Sequence, residues 1–83
     1  MVIYKYRVTP GEFSVAMPAT SAVVAVHAYG YEARMWASVD PNSPVVTRRF
    51  RAVATGEHFE ASWKHVGTFH MNDGLVFHLL EMS

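Results

Sequence analysis

The side chains in this sequence with most to offer chemically are imidazole, guanidinium and indole. Five histidines are many for 83 residues, and His58, His65, His70 and His78 crowd into the last third. Imidazoles hold zinc, nickel or iron when two or more converge with a carboxylate, and Glu57, Glu60, Asp73 and Glu81 are near in sequence. The spacing does not assemble them. No HExxH occurs, and His65 and His70, five apart on a strand, are expected on opposite faces. His70 and His78 can approach across a hairpin only in the right register. A metal site made of His58, His70 and His78 is thus an alternative that the spacing leaves open without supporting.

Arg48, Arg49 and Arg51 are the densest charge on the chain. On a strand Arg49 and Arg51 share one face, while Arg48 takes the other beside Phe50. Guanidinium forks match carboxylates and phosphates, and with Trp36, Trp63 or Tyr31 they could form a stacking platform for single strands. The plainer use is cross-strand pairing with Glu12, Glu32 or Glu57. Trp36 stands on the polar side of a strand whose other side already supplies core residues. It therefore either packs under a second layer or forms an interaction patch with Arg34, Arg49, Arg51 and Trp63, since aromatic and arginine side chains dominate binding hot spots.

Nucleophilic and acid-base hydrolysis find less support. The serines lack a glycine elbow, no glycine-rich phosphate loop occurs, and Glu57 with Glu60 is the only close carboxylate pair in an irregular segment. A cleft with a positioned catalytic set is difficult to build in so small a core, so the expectation is a protein without catalysis and without a cofactor.

The elements that must carry these residues read as strands. Val2 to Val8 alternates Val2, Tyr4, Tyr6, Val8 against Ile3, Lys5, Arg7, and Phe13, Val15, Met17 alternate after Pro10-Gly11. These two are expected to form a hairpin. Ala22 to Ala28, with three valines, reads as a buried central strand, joined through Tyr29-Gly30-Tyr31 to Glu32–Val39 with Ala33, Met35, Ala37 and Val39 on one face. Asp40-Pro41-Asn42-Ser43-Pro44 is a loop, and Val45 to Thr55 a further strand. Gly56 to Lys64 is either one helical turn or an irregular crossing. His65 to Met71 and Leu75 to Met82 form a hairpin through Asn72-Asp73-Gly74. Six to seven short, mainly antiparallel strands in one domain, residues 1–83, predict an all-β fold, a small sandwich or partly open barrel.

Composition bounds the partners. Hydrophobic residues make up 51% and charged residues only 17%, so part of the surface is apolar and a homo-oligomer, most simply a dimer, is expected. Seven basic against seven acidic residues leave no net charge, which argues against duplex binding. Cysteine is absent, which excludes disulfides and thiolate zinc sites and fits a cytosolic setting. The longest apolar stretch is too short to span a bilayer, so no membrane partner is expected.

Several stretches are similar to short proteins of tailed bacteriophages and prophages. They are Tyr4-Lys5-Tyr6, Met17-Pro18-Ala19, Trp36-Ala37-Ser38-Val39-Asp40-Pro41, Arg49-Phe50, Thr55-Gly56-Glu57-His58, Val66-Gly67-Thr68-Phe69 and Gly74 to Glu81, and they span nearly the whole chain. The resemblance implies a complete phage gene product in the cytoplasm of the infected bacterial host. It also implies a class of accessory proteins that includes inhibitors of host defence, acting by stoichiometric binding. The expected function is a protein-interaction module with a host or phage protein partner. A small-ligand or nucleotide-sequestering protein with its site at a subunit interface is the alternative, and a metal-dependent enzyme using the C-terminal histidines is the second. Inhibitors that imitate nucleic acid are typically acidic, so an inhibitor of this composition would act by occluding an apolar or mixed surface.

Overall fold

Period-two alternation fills one side of each strand with apolar residues, and two such sheets bury those sides against each other. The computed structural model describes residues Met1–Ser83. It contains β1 (Val2–Val8), β2 (Gly11–Pro18), β3 (Ala22–Tyr29), β4 (Glu32–Val39), β5 (Val45–Ala54), β6 (Lys64–His70) and β7 (Val76–Glu81), with no helix. The sheets are β1-β4-β3 and β2-β5-β7-β6, and every pairing is antiparallel. The protein is an all-β sandwich.

The core lies between the sheets. Met35, Ala37 and Val39 of β4 and Phe50 of β5 are fully buried, joined by Val8, Met17, Ala33, Ala52, Phe69 and Leu79. Only 14 of 83 residues are buried, yet the surface of 5126 Å² is close to the roughly 5,000 Å² of a compact chain of this mass. Low burial is therefore a consequence of size.

Two expectations about the strands are corrected. β1 and β2 do not form a hairpin: β1 pairs with β4, β2 pairs with β5, and the link at Thr9-Pro10 passes from one sheet to the other. Gly11 adopts φ 73° there, open to glycine at no steric cost. Alternation identifies the face of a strand and leaves its partner open, which is why the hairpin looked natural. β3 is an edge strand, not a central one. A bulge between Val23 and Ala25 breaks its period, so Val23 and Val26 turn inward while Val24 is 59% exposed. The broken period makes the run look continuously apolar.

The sandwich is closed along one side and open along the other. β3 packs closely beside β6, where a Cβ on Gly67 would lie 2.8 Å from Val26 Cγ2. Glycine at this point lets the sheets meet. Across the far side, Tyr4 and Tyr6 of β1 and Phe13 and Val15 of β2 turn inward but remain only partly covered. Arg48 ties the sheets together at one end: it faces inward, binds both carboxylate oxygens of Glu81 at 2.7 and 2.6 Å, and donates to the carbonyl of Ser21, the residue just before β3.

Candidate functional site

The register of β1, β4 and β3 builds the most distinctive surface. Lys5, Trp36 and Ala25 form one row across the three strands, and Arg7, Arg34 and His27 the next. Tyr29 stands opposite Glu32 beyond them, its ring edge-on to His27 at 4.8 Å. All of these occupy the side away from the core, since their neighbours Ala33, Met35 and Ala37 are the buried residues of β4. No other element covers this face. Lys5, Tyr29, Glu32, Arg34 and Trp36 enclose an open hollow of about 320 Å³.

Electrostatically the face is cationic. Glu32 is its one carboxylate, and it serves two arginines, Arg34 at 2.8 Å and Arg7 at 3.3 Å. A second Arg34 nitrogen donates to the carbonyl of Ala33 at 3.1 Å, which holds the guanidinium beside the indole-bearing row. Lys5 has no carboxylate within ion-pair distance. Such a surface offers an amphipathic ring and unneutralised cations to an anionic partner.

Arg49 and Arg51 lie elsewhere. They are on the outer face of the four-stranded sheet, so the patch expected around Trp36 is divided between two opposite faces. Each has a carboxylate partner, Glu12 at 2.9 Å for Arg49 and Glu57 at 3.6 Å for Arg51. That face is also partly roofed. Val53 and Leu80 point outward from β5 and β7 yet are 2% and 0% exposed, beneath a segment carrying Gly56, Glu57 and Phe59. The segment is a crossing loop with no helix, and Trp63 ends it half-buried, its backbone N–H donating to the Glu60 carbonyl.

The histidines converge in a way the spacing concealed. A bulge between His65 and Gly67 inserts one residue into β6, so His65 shares a face with Thr68, and Thr68 pairs with His78. The expectation that His65 and His70 lie on opposite faces is thereby corrected, because the inserted residue restores them to one side. His65 and His78 rings stand 5.7 Å apart with the Thr68 hydroxyl between them, 3.2 Å from His65 Nε2 and 3.1 Å from His78 Nδ1. Thr55 Oγ1 completes the chain, 3.0 Å from His78 Nε2 and 3.3 Å from the carbonyl of Val76. A carbonyl only accepts, so with His78 neutral the chain has one direction: His65 Nε2–H to Thr68, Thr68 O–H to His78 Nδ1, His78 Nε2–H to Thr55, Thr55 O–H to Val76. No carboxylate orients either ring, for Glu57 is engaged by Arg51 and by the Ala54 N–H. The alternative metal set does not assemble: His70 pairs with Val76, His58 lies in the crossing loop, and no group of three metal-ligating residues forms.

A further apolar cavity of about 70 Å³ opens at the Pro10 end of the sandwich, lined by Val8, Tyr31, Phe69, Met71 and Phe77 among others. It holds the volume of a side chain and falls well short of the 300 Å³ or so at which ligand pockets begin. No helix is long and apolar enough to cross a membrane.

Lys5, His27 and Tyr29 were missed from the sequence. The alternation of Ile3, Lys5 and Arg7 marks a charged side of β1, but only the β1 to β4 pairing brings it beside Trp36. For the histidine pair the signal was Gly67 inside a strand, a frequent mark of a bulge.

Fold and site together define a two-sheet β-sandwich protein with one bare cationic and aromatic sheet face. The chain belongs to the family described as Domain of unknown function (DUF7352), which matches residues 1–83. Comparison with curated proteins and with solved structures yielded no match.

Proposed function

We propose that this chain is a protein-interaction module, encoded by a phage and acting by stoichiometric binding in the cytoplasm of the infected bacterium, where a component of host defence is its partner. The observation that carries the reading is the uncovered face of the three-stranded sheet, with Trp36 between Lys5 and Arg34 and one carboxylate for three strand cations. The similarity to phage proteins supports the setting. The opposite face is a poorer surface for binding, since its arginines are already paired and its middle is roofed. Two copies meeting through the cationic face would bring like charges together, so the charge pattern favours a different, acidic protein over a self-dimer there.

The test is recovery of the partner from infected cells by the tagged chain, compared among wild type, Lys5→Glu/Arg34→Glu and Arg49→Glu/Arg51→Glu. The expected result is a stoichiometric partner lost with the first variant and kept with the second. Equal recovery by all three overturns the reading. The size of the hollow at Trp36 favours one second reading, a small anionic aromatic ligand held against the indole; at about 320 Å³ it reaches the lower end of ligand-site volumes. Quenching of tryptophan fluorescence by a nucleotide, kept in Trp63→Phe and lost in Lys5→Glu/Arg34→Glu, would select that reading instead.

A further inference from the structure

We propose that the edge strand β1 receives an extended segment of the partner, a strand in which carboxylates and apolar residues alternate. This rests on the protein-interaction reading and adds the partner's conformation and chemistry to it. β1 pairs only with β4, and none of its backbone groups is taken by a turn or loop, so every second residue turns an unmatched N–H and C=O outward. The other edges differ. β3 and β6 are interrupted by bulges, which protect an edge against added strands, and the outer charge of β2, Glu12, is already matched by Arg49. β1 runs through its whole register without a shift.

Its side chains specify what pairs with it. On the outer side Lys5 has no carboxylate partner, and Arg7, 67% exposed, has only a share of Glu32, which Arg34 holds more closely, so carboxylates at alternate positions of an added strand would lie beside two cations not fully neutralised. On the inner side Tyr4 and Tyr6 border the open flank of the sandwich together with Phe13 and Val15, a surface that intervening apolar residues would cover. A second copy of β1 is the poorer occupant. Whichever residue is central, antiparallel self-pairing adds another Lys5, Arg7 and Arg34 to this face and only one further carboxylate, the second Glu32. A single-stranded nucleic acid would meet the cations but leave the backbone edge unmatched, whereas a peptide strand satisfies both.

The experiment selects peptides from a random display library on the immobilised chain. Binding of the consensus peptide and of its alternately N-methylated form is then measured on wild type, Lys5→Glu/Arg7→Glu and Trp36→Ala. Lys5 and Arg7 are exposed, so their replacement leaves the core intact. The expected result is an alternating acidic and apolar consensus, binding weakened about tenfold or more by the double charge reversal, loss when one alternate set of peptide amides is methylated, and slowed hydrogen exchange along β1. Acidic peptides that tolerate methylation and need Trp36 overturn strand addition while leaving the docking face in place. Peptides indifferent to both variants overturn both. Self-association abolished by Lys5→Glu/Arg7→Glu, or displacement of the peptide by oligothymidylate, also overturns the assignment, in favour of a second copy or of nucleic acid.

Discussion

Replacing Arg48 by methionine should be the costliest single change at any charged position. The Arg48 and Glu81 side chains are 18% and 23% exposed, and the guanidinium makes two charge-assisted bonds to Glu81 besides the one to Ser21 O. Bonding to Glu81 raises the arginine pKa, so the charge is present throughout the usable pH range. Removing one member of a fully buried pair costs about 3–5 kcal/mol, mostly by stranding the other charge, and a pair exposed by a fifth should lose about 2–4 kcal/mol. A domain of this length holds only about 4–12 kcal/mol in total, so the loss is large. Arg48→Met/Glu81→Met instead places two apolar side chains beside Phe50 and Val15, and its stability should return to within about 1 kcal/mol of wild type. Urea unfolding followed by tryptophan fluorescence measures all three variants as a double-mutant cycle. An Arg48→Met loss below about 0.5 kcal/mol, or a double variant as unstable as the sum of the singles, would refute the reasoning.

Other outcomes follow from the same geometry. Gly67→Ala should cost about 1–3 kcal/mol, because its Cβ meets the stiff Val26 side chain, and Val26→Ala should relieve it so that the double variant is better than additive in urea unfolding. The Tyr6 phenol has its pKa raised above 10.0 by burial first and by Tyr4 second, so the fold favours its neutral form. The contribution of Tyr6 is whole below the unfolded value and fades as pH climbs through the raised one; Tyr6→Phe should flatten that alkaline decline in urea midpoint. In nitrogen-resolved NMR, neutral His78 should be the Nε2–H tautomer, and Thr55→Val, which removes the hydroxyl anchored on the Val76 carbonyl, should weaken that preference without unfolding the chain.

The strand count, the inward face of β4 and the final hairpin were legible because each depends on local alternation and turn chemistry. Partner choice was not. Pairing of β1 with β4 and of β2 with β5 depends on contacts far apart in sequence, and the alternating pattern of Tyr4, Tyr6, Phe13 and Val15 is compatible with either arrangement. The same limit hid the site. Trp36 and Arg34 stood out by residue type, whereas Lys5, His27 and Tyr29 joined them only through register. Bulges account for the rest, since one inserted residue reverses every later side chain and moved Val24 outward and His65 beside His78.

Photo-crosslinking in infected bacteria decides whether the open face of the β1-β4-β3 sheet is the docking surface. A photoreactive residue is placed at position 36 or, on the opposite face, at position 49. A single protein adduct is expected from position 36 and none from position 49. Adducts from position 49 alone, or equal yields of the same adduct from both, would contradict it.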